Sequence, residues 1–216
     1  PWIVAFGKLS KAIAEVGREV FGRQEIQLWC WWWDQQEHAD FAAWADREAP
    51  GLFTFAAQHI KYGQTEYGTC QLPRGCANGG FVHVGYGDAF GADRIGSYGH
   101  FGQAIAPDRL KRTLDYHRQR QAGGFLAYCE SDADEINRAL LGGLASGRFT
   151  SAEAILRCYA ERHFPGNPDD WCQLMLHFRN YESLDHQAAR RLLEKLAGKR
   201  TENRRIEAFR ETLNMR

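Results

Sequence analysis

The chain has 216 residues, of which 44% are apolar and 25% are charged, a composition typical of a globular protein. Lysine plus arginine and aspartate plus glutamate are balanced at 27 each, so the net charge does not indicate nucleic acid or an anionic membrane as the partner. No apolar run approaches the roughly 20 residues that a membrane-spanning helix needs. The six cysteines lack the spacing of a zinc site, and we expect no metal and no cofactor.

Helix and strand patterns alternate over the first sixty residues. Apolar residues at helical spacing predict a helix over 8–21, ended by Gly22. The run "EIQLWCWWWD" at 25–34 predicts a strand over 25–33 that is covered on both faces, as in parallel sheets. A second helix ends at Pro50-Gly51, and "LFTFAAQHI" predicts a second buried strand over 52–60. The residues that define the first helix are Leu9, Ile13, Val16 and Val20.

The remaining elements are separated by a long glycine-rich segment. Residues 61–106 are too long for a plain connection, and we place a third strand at 81–87, "FVHVGYG". A helix opening near Pro107 and a fourth strand at 124–130 follow. From 131 onward the pattern is helical, with a capping box at Thr150-Ser-Ala-Glu153 and a helix start at Asn167-Pro168.

This alternation predicts a parallel α/β architecture. The connections are long enough for right-handed crossovers, and no glycine-rich nucleotide-binding motif follows a strand. We therefore predict the C-terminal part of a (β/α)8 TIM barrel over 1–147, followed by a helical region over 148–216. Four strands do not close a barrel of eight, so we expect its remainder from a missing N-terminal part or from a partner chain. The start at Pro1 without methionine also favours a fragment.

Several segments resemble the later barrel strands of large bacterial glycoside hydrolases, namely the alpha-glucuronidase and beta-hexosaminidase-like enzymes and their uncharacterised relatives. The segments are "KLSKAIAEVGREVFGRQEIQLWCWWW", "LFTFAAQHIKYG" and "FLAYCESDADEINRALLGGLASGRFTSAEAILRCYAERHF", within 8–165. In that family the last barrel strand commonly ends in a glutamate followed by a helix of the "DINKAL" type, which Glu130 and "DEINRAL" match. Ser131 stands where many relatives have glycine.

Four polar residues are predicted to lie at the mouth of the barrel, where the carboxyl ends of the strands converge. They are Asp34, His59, Asp88 and Glu130. Residues two apart in a strand share a face, so Trp32 and Cys30 should accompany Asp34 into the interior, and Tyr128 should accompany Glu130. By the same alternation, Trp31 and Trp33 should pack against helices.

The two favoured catalytic residues are Glu130 and Asp34, because glycoside hydrolysis typically uses two carboxyl groups. Each has a structural alternative. Asp34 is also well placed to cap the helix beginning near Gln35, and Glu130 could be one more charge near a helix N-terminus.

The remaining candidates are residues expected to bind sugar. Trp32 offers an aromatic platform for the apolar face of a sugar, and polar or aromatic side chains around it can contact hydroxyl groups. The alternative for His59 is a solvated loop histidine, and His83 is expected to be a core histidine. The other predicted substrate-binding residues are His59, Lys61, Glu66, Tyr86, Asp88 and Tyr128.

The sequence thus predicts a metal-independent glycoside hydrolase acting on a complex polysaccharide or glycan. The alternatives are a non-catalytic carbohydrate-binding or structural half-barrel module, or another barrel enzyme such as a sugar isomerase. The expected partner is a carbohydrate, with neither nucleic acid nor a membrane. Cys70 and Cys76 could form a loop disulfide or remain free thiols. The sugar, the stereochemical course, the oligomeric state and the compartment are left open.

Overall fold

The computed structural model describes residues 1–22, 25–60, 64–84, 103–129, 132–179, 184–198 and 202–214. They form a mixed α/β protein in which the strands fall in the first 128 residues. The elements in chain order are α1 (Trp2–Phe21), β1 (Ile26–Cys30), α2 (Gln35–Glu48), β2 (Phe53–His59), β3 (Ala77–His83), α3 (Pro107–Gln119), β4 (Gly124–Tyr128), a 3-10 turn (Asp132–Asp134), α4 (Glu135–Ala145), α5 (Ala152–His163), α6 (Pro168–His177), α7 (His186–Ala197) and α8 (Arg204–Asn214). None of the helices described has the length and apolar character needed to cross a membrane.

The four strands form one sheet in the order β1-β2-β3-β4. β1 and β2 pair in parallel, as do β2 and β3. Gly123 N donates to Asn78 O and Val84 N donates to Tyr128 O, so β4 runs in the same direction as β3. The prediction of four parallel strands is therefore confirmed. This sheet is compatible with part of a (β/α)8 barrel.

The largest differences from the predicted strand boundaries are in β1 and β3. β1 ends at Cys30, and Trp31 and Trp32 form a turn where the strand was expected to continue to residue 33. β3 begins at Ala77, and the predicted positions 85–87 lie outside the described residues. The early start was missed because Gly79 and Gly80 carry no strand signal. A Cβ atom at Gly79 would lie 2.5 Å from the oxygen of Gly124, so close backbone packing requires glycine there.

Helix α1 packs through small residues, and the aliphatic side chains that predicted the helix lie on its outer face. Its buried positions are Ile3, Gly7, Ser10 and Ala14. A Cβ atom at Gly7 would lie 2.5 Å from the Trp44 ring, so the indole of α2 fits against bare backbone. Because α1 approaches its neighbour this closely at Gly7, a larger side chain is excluded from that position.

The described chain divides into two compact units. The first contains Pro1–Ile60, Glu66–Val82 and Tyr116–Ala127, and the second contains the rest of the described chain. The core of the first unit joins α1 and α2 to one face of the sheet through Leu28, Cys30, Phe41, Trp44 and Phe53. The predicted division at 147/148 remains a prediction.

The helices of the second unit begin largely as the sequence predicts. Asn167 caps α6 with Pro168 in its first turn, as expected. The cap of α5 is Ser151, whose hydroxyl accepts from the backbone N of Ala154, one residue later than the predicted Thr150. The buried core of the unit includes Leu140, Leu156, Trp171, Met175 and Phe209.

Candidate functional site

The two faces of β1 lie in different surroundings. Leu28 and Cys30 are 1% exposed and pack within the helix-side core, whereas Trp29 is 51% exposed on the opposite face. The prediction that this strand is covered on both faces is therefore wrong. The prediction that Cys30 points to the barrel interior together with Trp32 is also wrong, because Cys30 faces the helices.

An aromatic cluster lies at the carboxyl ends of β1 and β2, and we call it the tryptophan edge. The Trp32 ring centroid is 4.7 Å from that of His59, and the Trp31 centroid is 6.4 Å from it. The rings of Trp29 and Trp31 cover Phe81, at 5.2 and 6.0 Å. Phe81 is 1% exposed, whereas Trp31 is 41% and Trp32 58% exposed. The tryptophan edge consists of Trp29, Trp31, Trp32, His59 and Phe81.

Trp32 and Trp33, the last two tryptophans of the run, differ in exposure because β1 ends before them at Cys30. Trp32 has φ of 61°, a left-handed conformation that is unfavourable for a bulky residue and that breaks the strand alternation. Trp33 is half-buried and packs against Phe6 and Phe41 at 5.8 and 5.1 Å. The predicted packing of Trp33 against helices is confirmed. The same prediction for Trp31 is wrong, since its ring lies at the exposed edge.

Asp34 is the N-cap of α2 in a complete capping box. The backbone N of Glu37 donates to Asp34 Oδ1 at 2.8 Å, and the backbone N of Asp34 donates to Glu37 Oε2 at 2.9 Å. Glu37 also accepts from Trp2 Nε1 at 2.6 Å. The capping interpretation of Asp34 is thus confirmed, and its assignment as a catalytic acid remains a prediction.

The structure brings together two of the predicted site residues, Trp32 and His59. The exposed Glu66 lies near Tyr116, whose pKa is raised by burial and also by this carboxylate. Tyr128 is half-buried in the second unit, with its ring 5.8 Å from that of the buried His83. The remaining predicted residues lie outside the described part of the chain: Lys61, Tyr86, Asp88 and Glu130.

The "DEINRAL" segment has a structural role in the second unit. Asn137 Nδ2 donates to Ala104 O at 2.5 Å, and Asn137 Oδ1 accepts from Ala106 N at 2.9 Å. Arg205 Nη2 donates to Glu135 Oε1 at 2.6 Å. Burial is the largest single influence and raises the pKa of Glu135, but the hydrogen bond and charge of Arg205, together with smaller contributions from Tyr159 and His163, lower this pKa overall. Helix packing therefore accounts for both polar side chains.

Cys70 and Cys76 are free thiols in this structure. Burial raises the pKa of each to about 11, and it raises the pKa of Cys30 still further. Cys70 Sγ donates to Gln58 Oε1 at 2.7 Å, and Gln58 Nε2 donates to Asn78 Oδ1 at 2.5 Å. These thiols are protonated near neutral pH and are poor nucleophiles. Within the described residues, no group of three or more His, Cys, Asp or Glu side chains is arranged to hold a metal ion.

A cavity of about 400 Å³ lies at the amino-terminal ends of the strands. Its lining includes Lys11, Arg18, Glu25 and Leu52, and the last two immediately precede β1 and β2. Active sites of barrels form at the opposite, carboxyl ends of the strands. The cavity is therefore separate from the tryptophan edge.

Comparison of the chain with models of protein families, with curated proteins and with solved structures finds no match. The function must therefore be inferred from the geometry and chemistry of the residues themselves.

Proposed function

We propose that the chain is the later part of a (β/α)8-barrel glycoside hydrolase that binds a polysaccharide or glycan at the tryptophan edge. The observation that carries the proposal is the exposure of Trp31 and Trp32 beside His59, at the carboxyl ends of β1 and β2. This is the edge at which parallel α/β proteins form their binding sites.

The chemistry of the tryptophan edge suits a sugar. Indole rings stack on the apolar C–H faces of a pyranose, and an imidazole can exchange hydrogen bonds with its hydroxyl groups. The left-handed backbone of Trp32 disfavours a bulky side chain by roughly 1–2 kcal/mol. A strained and largely exposed tryptophan is a reason to suspect function, because the local conformation disfavours a residue of this size.

Direct binding measurements test this proposal. The intact chain is titrated with gluco-, xylo- and N-acetylglucosamine oligosaccharides and followed by calorimetry and by NMR. Replacing Trp32 or Trp31 by alanine should weaken binding by roughly tenfold or more, since a stacked aromatic ring contributes on the order of 1–3 kcal/mol. Trp2→Ala is the matched control, because Trp2 is also 56% exposed but lies on α1. Equal losses in all three variants, or no binding of any sugar, would contradict the proposal.

Hydrolysis would require a carboxylic acid in addition to the aromatic platform. In this proposal Glu130 is the acid, because it comes two residues after the end of β4 and the polar residues that follow it in sequence can supply the caps of the next helix. Glu130→Gln should lower turnover by roughly two to four orders of magnitude while oligosaccharide binding persists. Near-normal turnover in this variant would remove Glu130 from the catalytic assignment.

The engagement of Asp34 in a capping box favours a second candidate function. One oxygen of this carboxylate already accepts a backbone hydrogen bond, so the described residues provide the platform more clearly than a catalytic pair. A non-catalytic carbohydrate-binding module would bind oligosaccharides through the tryptophan edge and show no turnover. Measuring hydrolysis by the unmodified protein together with binding distinguishes the two functions.

A further inference from the structure

Helix α1 exposes a continuous row of large aliphatic side chains, which we call the α1 stripe. Its four members are between 58% and 65% exposed, although residues of this type are usually buried. They recur at intervals of four, three and four residues, so they lie on one side of the helix. The α1 stripe consists of Leu9, Ile13, Val16 and Val20.

The α1 stripe lies away from the buried face of α1. The buried positions near the middle of the helix are Gly7, Ser10 and Ala14, and they account for its packing against α2 and the sheet. An amphipathic helix normally turns its larger apolar residues toward a partner surface. Here the small residues are used within the unit, and the large ones remain available for another surface.

We infer that the α1 stripe is a docking surface for a second copy of this chain, with the two α1 helices antiparallel. The spacing is self-complementary about the midpoint between Ile13 and Val16. In an antiparallel pair related by a twofold axis, Ile13 faces Val16 of the second copy and Leu9 faces Val20. All four side chains of each copy are then covered by the same four side chains of the other.

The charges beside the α1 stripe match this arrangement. Lys8 and Glu19 lie on the same flank near opposite ends of the helix. In an antiparallel twofold pair, like flanks meet, so each Lys8 lies near Glu19 of the other copy. Glu15, on the same flank near the centre, is paired with Lys11 of its own helix at 4.0 Å, which reduces repulsion across the axis. Parallel pairing about a twofold axis along the helices would instead place the Lys8 flank against the opposite flank of the second copy, so Lys8 would not meet Glu19.

The extent of the surface predicts the strength of association. Covering eight aliphatic side chains removes roughly 800 Å² from water, below the usual size of a stable interface. We therefore expect a reversible dimer with a Kd on the order of 10–100 μM. The association is independent of the proposed sugar site, because Trp31, Trp32 and His59 are not part of α1.

Sedimentation velocity over roughly 1–500 μM protein measures this association. Val16→Glu places a charge at the centre of the α1 stripe and should weaken the dimer by at least about 100-fold. Ala43→Glu is the control, since it adds the same charge at an exposed position of α2 and should leave the Kd unchanged. Circular dichroism verifies that each variant is folded. A protein that stays monomeric over the whole range, or equal effects of both substitutions, would overturn the inference.

A charge exchange tests the antiparallel geometry. Glu19→Lys should raise the Kd roughly tenfold, because it replaces two attractive pairs by two repulsive ones. Lys8→Glu should act in the same direction, although Lys8 also lies close enough to Glu48 to help lower the pKa of that carboxyl. The double variant should recover the original Kd to within about threefold. A double variant no better than Glu19→Lys alone would show that the α1 stripe does not pair with itself in this way.

Discussion

The two faces of the sheet in the first unit differ in how they are covered. On the helix side, Leu28 and Cys30 lie in a packed core, and His117 of α3 fills the space above Gly80. On the opposite side, Trp29 remains 51% exposed although Phe81 next to it is buried. The helix-covered face of β1 thus carries Leu28 and Cys30, whereas the opposite face carries an exposed indole.

This difference shows what an apolar strand does and does not imply. The apolar run in β1 combines burial of Leu28 and Cys30 on one face with an exposed Trp29 on the other. Large exposed aromatic surfaces on a folded domain generally mark contacts with a ligand or a partner. The following predictions test how different the two faces are, beginning with the largest expected effect.

Gly79→Ala and Gly80→Ala probe opposite faces of β3 and should both destabilise the protein. A Cβ atom at Gly79 would lie 2.5 Å from the Gly124 oxygen, and one at Gly80 would lie 2.3 Å from His117 Nε2. Gly79→Ala should lower the free energy of unfolding by roughly 3 kcal/mol or more, since backbone has little room to move. Gly80→Ala should cost somewhat less, because a side chain can shift. Urea unfolding measures both variants. Gly51→Ser is the control for backbone strain alone, because Gly51 has a positive φ but open space around its Cβ position.

Trp33→Ala should lower the free energy of unfolding more than Trp31→Ala, because Trp33 is packed and Trp31 is exposed. Trp33 contacts Phe6 and Phe41, so its truncation should lower the free energy of unfolding by roughly 3 kcal/mol. Trp31 is 41% exposed, and its truncation should cost less than about 1 kcal/mol. Thermal unfolding of both variants provides the comparison. The reverse order would mean that the tryptophan edge is a structural core.

Protonation of His117 should destabilise the helix-covered face in acid. Burial lowers the pKa of this imidazole from 6.5 to about 4, and neither ring nitrogen has a hydrogen-bond partner within the described part of the chain. The unfolded chain therefore takes up the proton first as the pH falls. The stability contributed by neutral His117 is complete above pH 6.5 and should decline by about 3 kcal/mol toward pH 4.

Unfolding measured between pH 7 and pH 4 tests this expectation. His117→Leu keeps an apolar group of similar size against Phe125 and should flatten the decline in that range. An unchanged pH dependence in the leucine variant would assign the acid sensitivity to other groups.

Asp34→Ala should have a small effect on stability, because it removes only the cap of α2. The loss of the hydrogen bond from Glu37 N should lower the free energy of unfolding by about 1 kcal/mol, and Asp34→Asn should preserve most of that stability. Chemical unfolding measures both variants. If Asp34→Asn abolished turnover in an active enzyme without affecting unfolding, Asp34 would have a catalytic role beyond capping.

Local patterns predicted the elements well and the site only partly. The sequence predicted four parallel strands, and it identified Trp32 and His59, which the structure brings to within 4.7 Å between ring centroids. It missed Trp29, Trp31 and Phe81 at the tryptophan edge. Strand alternation was extended beyond Cys30, where the chain turns, and the left-handed conformation of Trp32 leaves no signal in the sequence.

The sequence by itself determined where helices and strands form, because spacing, caps and breakers act over a few residues. For example, Asn167 and Pro168 define the start of α6 through interactions within a few residues. Only the tertiary structure decided which faces are covered. In α1 the aliphatic positions defined the helix, yet Gly7 and Ala14 face the core, and the Trp44 ring occupies the space beside Gly7. In β1 the same apolar run gave a buried Leu28 and an exposed Trp29, because burial depends on neighbours that are distant in sequence.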